Sequence, residues 1–335
     1  MKTVLVATDS FKNSITAERA CAAISRGWRT HRPGDRLIEL PQADGGEGTL
    51  SAIGRSVPGS RRRTAGTVTG PAGSPVPGTW LQLPNGTAVI ELAQTSGLEL
   101  MPDLDPINAT TRGLGEVIAA ALDDGADRLI IALGGSASTD GGVGALEAIG
   151  ERRVPPRGAM VLTDVDNPLL GRRGAARMFA PQKGASPEQV LELEQRLTAY
   201  AREVGRDPTV PGTGAAGGTA YGLSAWGARI VPGAQAIADL SGLTSKAATA
   251  DLVITGEGRF DDQSLSGKVV GNALRLPATI AVIAGRIDVR VTGWSASLTA
   301  LAGSADAAMA EPEAWLEHAG KLAAEAHFTT SGSNR

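Results

Sequence analysis

Thr3-Val4-Leu5-Val6-Ala7-Thr8-Asp9-Ser10 opens the chain with a run of apolar and β-branched residues that stops at an acid and a hydroxyl. Behind it Ala20, Ile24 and Trp28 recur at fourfold spacing, the period of one helix face. Strand, polar loop and helix in that order make the first unit of an α/β fold. Leu37–Leu40 repeats the pattern and runs into Pro41-Gln42-Ala43-Asp44-Gly45-Gly46-Glu47-Gly48, with a short helix from Thr49. Both loops fall at the carboxyl ends of strands expected to be parallel, where open α/β sheets place ligands.

From Thr67 to Leu92 the texture changes to Pro/Gly-rich turns and alternation. Trp80–Leu83, Pro84-Asn85-Gly86 and Thr87–Leu92 read as a β-hairpin, because Asn-Gly tolerates the positive φ of tight hairpin turns. A second sheet begins here. It continues through a helix at Gly115–Leu122, a strand at Arg128–Leu133, a glycine loop at 134–142, a helix at Val143–Ile149, a tight connection at 151–158 and a strand at Ala159–Thr163. Ser186, Pro187 and Gln189 spell a capping box before Val190, Leu193, Leu197 and Tyr200. Strand–loop–helix units return at Asp251–Thr255, followed by the loop Gly256–Asp261, and at Thr279–Ala284; disorder is expected beyond Phe328.

At 335 residues, 42% hydrophobic and 20% charged, the chain is long enough for two globular domains. A formal net charge of −3 leaves no basic field for nucleic acid or an anionic membrane. Apolar runs such as Leu129–Leu133 are far shorter than the roughly 18 residues of a membrane span. No signal-peptide core follows Met1, so the cytosol is the expected location. Cys21 is the single cysteine and His31, His318 and His327 the three histidines, which excludes an internal disulfide and a His/Cys zinc cluster. Cys21, among alanines, reads as a core residue.

The chain holds 44 glycines, about 13% against roughly 7% in average proteins. Many sit beside acids or hydroxyls: in Asp44-Gly45-Gly46-Glu47-Gly48, in Gly134-Gly135-Ser136-Ala137-Ser138-Thr139-Asp140-Gly141-Gly142, in Gly212–Gly218 and in Gly256-Glu257-Gly258. Consecutive glycines let backbone N–H groups approach an anion. Asp164 and Asp166, two apart at the end of a strand, are expected to face the same way; a cation such as Mg²⁺ would relieve their repulsion. Lysine is rare, yet Lys12, Lys183 and Lys268 each lie in a candidate loop, and a compact ammonium suits phosphate. Gly212-Thr213-Gly214-Ala215-Ala216-Gly217 matches G-x-G-x-x-G but follows no apolar strand, and Ser266-Gly267-Lys268 is not a Walker A loop.

Seven stretches in order, spanning roughly residues 3–285, resemble the bacterial class II glycerate kinase family. They are Asp9-Ser10-Phe11-Lys12; Ala43–Thr49; Gly134–Ala137 with Asp140-Gly141-Gly142; Asp164-Val165-Asp166-Asn167-Pro168-Leu169; Pro181–Ala185; Gly214–Gly218; and Asp251–Arg259 with Asp261, Gln263, Gly267 and Lys268. The resemblance implies transfer of the γ-phosphoryl group of ATP, with Mg²⁺, to a hydroxyl of D-glycerate, with 2-phosphoglycerate favoured over 3-phosphoglycerate. It implies two domains: a flavodoxin-like α/β domain from residues 1–62 and 248–335, and an inserted restriction-enzyme-like α/β domain from 63–247, with the active site in the cleft between them. The implied catalytic residues are Asp166, Asp44, Lys183 and Lys12. Asp164 and Asp166 are the metal candidates. Asp9, Ser10, Gly45, Gly46, Glu47, Gly134, Gly135, Ser136, Asp140, Gly141, Gly142, Gly217, Gly218, Glu257, Asp261 and Lys268 are expected to bind substrate or nucleotide. Which acid is the base and which holds the metal stays open, as does the oligomeric state. Where the family carries a few dozen residues, only Glu151–Gly158 remain. A same-fold kinase for another small hydroxy acid and a non-catalytic glycerate or nucleotide sensor are the alternatives.

Overall fold

The computed structural model describes residues 1–265 and 267–327; Ser266 and the tail from Phe328 lie outside the described residues. The strands are β1 (Thr3–Thr8), β2 (Arg36–Glu39), β3 (Arg61–Thr69), β4 (Pro75–Gln82), β5 (Thr87–Glu91), β6 (Arg128–Ala132), β7 (Ala159–Leu162), β8 (Arg229–Val231), β9 (Leu252–Phe260), β10 (Ile280–Ile287) and β11 (Trp294–Ser297). They form two sheets, and the chain forms two compact α/β units.

The first unit comprises Met1–Ala43, Ser51–Ser56 and Ala234–Arg335. Its sheet runs β11-β10-β9-β1-β2 with every pair parallel. Alternate residues of β1 point to opposite faces. Val4 and Val6 pack with Ile24 and Trp28 of the helix Ala17–His31 and with Leu316 and Ala323 of the helix Pro312–Ala326. Leu5 and Ala7 pack with Ala238, Leu243 and Ala247 from the helices Gly233–Ser241 and Leu243–Ala247. Cys21 is buried, and burial pushes its thiol up to about 11, so it is an inert core residue as expected.

The second unit comprises Asp44–Leu50 and Val57–Gly233. Its sheet runs β3-β4-β5-β6-β7-β8; β3, β4 and β5 pair antiparallel, whereas β5 through β8 are parallel. The expected hairpin joins β4 to β5, closed by Leu83 N–H donating to Thr87 O at 2.8 Å with Gly86 at φ +84°. The capping box is complete: Ser186 Oγ accepts from Gln189 N–H while Ser186 N–H donates to Gln189 Oε1. The helix Pro187–Val204 that follows buries Leu193, Leu197 and Ala201.

Three expectations are corrected. The units divide at 56/57 and 233/234 rather than 62/63 and 247/248, and 44–50 goes with the second unit. The packing of Ala238, Leu243 and Ala247 on β1 decides this, and local texture does not reveal it. Gly256–Phe260 is strand, not loop, because β9 continues to Phe260. A Cβ at Gly256 would lie 1.9 Å from Ile283 O on β10, so its glycine serves strand packing. Finally, β7 ends at Leu162, so Asp164 and Asp166 lie past the strand and the extended-backbone argument for a shared face does not apply. Among the described residues no helix is long and apolar enough to cross a membrane.

Candidate active site

The parallel strands β5 to β8 end at Glu91, Ala132, Leu162 and Val231, and the segment 44–50 lies along these ends. Gly134, two residues past β6, donates its N–H to Gly45 O at 3.0 Å. A Cβ on Gly134 would stand 2.3 Å from Gly46 Cα, so the two glycine loops meet backbone to backbone. Gly45 sits against Leu162 at the end of β7, and a Cβ on Gly233, just past β8, would stand 2.1 Å from Asp44 O. At β5 the Glu91 carboxylate accepts from Gly48 N–H at 3.1 Å and Leu50 N–H at 3.0 Å. Asp44 is half-buried, one carboxylate oxygen accepting from Gly46 N–H at 3.1 Å; Glu47 between them is exposed.

Lys183 follows the helix Ala175–Phe179 in a short 3-10 turn and is 2% exposed. Its ammonium donates to Ser136 Oγ at 2.8 Å and to Ser138 O at 2.5 Å, inside the 134–142 loop. Burial pulls its pKa down to about 7, partly offset by the negative charge of Asp140. Asp140 is heavily engaged: it accepts from Gly142 N–H on one oxygen and from Thr111 N–H, Thr111 Oγ1 and Gly144 N–H on the other. The carboxylate thus braces its own loop. Gly141 N–H donates to Gly217 O at 3.0 Å, which ties in the 212–218 turn with Gly217 and Gly218, both at positive φ. Ser138 Oγ and Thr139 Oγ1 are buried with no hydrogen-bond partner among the described residues. Gly135 O accepts from Leu98 N–H.

Asp164 and Asp166 have separate partners. Asp164 accepts from Gly233 N–H at 2.7 Å. Asp166 is exposed and paired with Arg173 at 2.6 Å, a surface arrangement of small energetic value. Gly233 therefore meets the Asp164 carboxylate through its N–H and the backbone carbonyl of Asp44 through its α-carbon side. Among the described residues no group of three or more His, Cys, Asp or Glu is placed to hold a metal ion.

The remaining candidates belong to the first unit, at the carboxyl ends of β1 and β9. Asp9 is buried, accepts from Ser10 N–H at 2.7 Å and donates its own N–H to Gly256 O at 2.8 Å. Thr8 is in register with Gly256, which places Asp9 beside buried Glu257. Lys12 is exposed, its backbone N against Gly258. Asp261 accepts from Gln263 N–H at 3.0 Å and Ser264 N–H at 3.4 Å, and Lys268 is the N-cap residue of the helix Val269–Leu274. Sequence reasoning missed Glu91 and the buried hydroxyl of Thr139. The signal for Glu91 was an acid closing the otherwise apolar run Ala88-Val89-Ile90.

A two-unit α/β chain with glycine-rich loops, a buried lysine and carboxylates near the carboxyl ends of parallel strands has the features of an enzyme that handles small anions. The chain belongs to the glycerate kinase family, whose model matches residues 4–161 and 152–329. The two matches overlap over residues 152–161, across most of the short 151–158 connection and the start of β7. The chain is 37% identical over 334 residues to glycerate 2-kinase of Escherichia coli K12, covering 88% of this chain and 85% of that one. It is 39% identical over 336 residues to glycerate kinase of Bacillus subtilis 168, covering 88% and 85%. A crystal structure of a candidate glycerate kinase 2 from Salmonella typhimurium LT2 superposes with a TM-score of 0.77 at 34% identity, covering 97% of each chain. Kinase activity of the glycerate kinase type is thereby supported at the level of the family.

Proposed function

We propose that the protein transfers the γ-phosphoryl group of ATP to the 2-hydroxyl of D-glycerate, giving 2-phosphoglycerate and ADP with Mg²⁺ as cofactor. The observation that carries this reading is the convergence of segment 44–50, loop 134–142, Asp164 and buried Lys183 on the carboxyl ends of β5–β8. In the reaction the glycerate oxygen forms a bond to the γ-phosphorus as the bridging bond to ADP breaks, and the hydroxyl proton passes to a carboxylate. Asp44 is our assignment for that carboxylate, half-buried and oriented by Gly46. Asp166 suits it less well, being exposed and held by Arg173.

The residues fit the implied groups. Backbone N–H groups, the hydroxyls of Ser138 and Thr139, which have no hydrogen-bond partner among the described residues, and the Lys183 ammonium would form a donor set for phosphate or carboxylate oxygens. Asp164 and Asp44 would each supply hard carboxylate oxygens of the kind Mg²⁺ takes alongside phosphate. When bound, Mg²⁺ neutralises phosphate charge. In the first unit Lys12 and Lys268 would neutralise further anionic charge, and Asp9, Ser10, Glu257 and Asp261 would bind substrate or nucleotide. The strand sequence β2-β1-β9-β10-β11 is the 2-1-3-4-5 order of flavodoxin-like sheets, which supports that reading of the first unit. The restriction-enzyme-like reading of the second rests on the family resemblance. One further reading, suggested by the short 151–158 connection, is a same-fold kinase with a different small hydroxy acid. ADP release measured over a panel of hydroxy acids, with the product assigned by phosphorus NMR, tests both. Binding without ADP release would instead identify a sensor.

A further inference from the structure

Glu91 closes β5 with its side chain turned under the segment 44–50 and is 3% exposed. Its two carboxylate oxygens take the Gly48 and Leu50 N–H groups, one each. Among the described residues no lysine or arginine pairs with it; Arg62 and Glu47 act on it only at longer range and with opposite signs. A carboxylate buried without a cation costs stability that an amide of the same shape would not. Burial accordingly pushes the Glu91 carboxyl above its usual range, against the pull of the two N–H donors. An ordinary helix cap, such as Ser304 accepting from Ala307 N–H at 3.1 Å, needs no buried charge.

The location accounts for the charge. Segment 44–50 is held at one end where Gly134 donates to Gly45 O and at the other where Gly48 and Leu50 donate to Glu91. Gly46 and Glu47 lie between those anchors, and Gly46 in turn orients the Asp44 carboxylate. We infer that Glu91 is a positioning residue for phosphoryl transfer: it locks segment 44–50 so that Asp44 and Glu47 are presented to the substrate in one geometry. It touches no substrate itself. This inference rests on the kinase reading above. Its consequence is kinetic, because a loop held at one end leaves the acid misplaced in the transition state even when ATP still binds.

The test compares Glu91→Gln with Ser304→Ala, a helix-cap loss in the first unit, in the full-length protein. Glu91→Gln keeps the shape but sets an amide N–H₂ against one of the two backbone donors. The expected result is a kcat lowered about tenfold or more, with KM for ATP changed by less than about threefold. Hydrogen exchange should quicken at 45–50, while Ser304→Ala at a comparable loss of melting temperature keeps its kcat. Should Glu91→Gln not fold, Glu91→Asp, which keeps the charge but draws it back by one methylene, is read the same way. Wild-type turnover together with a variant kcat within about twofold would overturn the inference and leave the kinase reading standing. Absence of wild-type turnover with every hydroxy acid would overturn both.

Discussion

Replacing Lys183 by methionine should leave the fold more stable at neutral pH while removing phosphoryl transfer. The ordinary lysine value of 10.5 falls to about 7 in the folded protein, so the unfolded chain binds the proton more tightly. The folded state is therefore penalised wherever the unfolded lysine is charged. Since a tenfold change in proton affinity is worth about 1.36 kcal/mol, the penalty is on the order of 5 kcal/mol. That penalty is present in full below pH 7, fades by about 1.4 kcal/mol per pH unit between pH 7 and 10, and is gone above the unfolded value. Methionine fills similar volume without the charge, but leaves Ser136 Oγ and Ser138 O without their donor, an offset of about 1–3 kcal/mol. The net gain expected at pH 7 is about 1–3 kcal/mol. Urea unfolding of both proteins from pH 6 to 10 checks this, since titrations common to both cancel in the difference. A stability difference that stays constant over that range, or one favouring wild type at pH 6 and methionine at pH 10, would refute the assignment of Lys183 as a desolvated ammonium.

Two substitutions test the carboxylates. Asp44→Asn should lower kcat by about a hundredfold or more with native circular dichroism, whereas Asp166→Asn, losing only an exposed pair with Arg173, should stay within about tenfold of wild type; steady-state kinetics on each decides which acid matters. Gly134→Ala would force a Cβ to within 2.3 Å of Gly46 Cα. It should separate the two glycine loops, cost about 1–3 kcal/mol and weaken ATP binding, measured by calorimetry alongside a melting curve.

Local rules were legible where local chemistry decides. The Ser186 capping box, the Asn85-Gly86 turn and the helix Val143–Ile149 follow from side-chain hydrogen bonding, backbone permissiveness and periodicity within a few residues. The two glycine loops were legible as special, and they do touch, through Gly134 and Gly45. What escaped depends on partners far along the chain. Gly256 and Gly258 look like a loop until β10 packs against β9. Asp166 looks like Asp164 until Arg173 and Gly233 claim them separately. The helices Gly233–Ser241 and Leu243–Ala247 carry no mark of the β1 side chains they cover. Glu91 reads as an unremarkable strand end, because its meaning lies in two N–H groups more than forty residues earlier.

We propose above that the loops gathered on β5–β8 serve phosphoryl transfer to glycerate. Purified protein incubated with ATP, Mg²⁺ and D-glycerate, and followed by phosphorus NMR, tests it most directly. ADP and 2-phosphoglycerate should rise together, at a rate abolished in Lys183→Met. No phosphoglycerate from a folded, ATP-binding protein would contradict it.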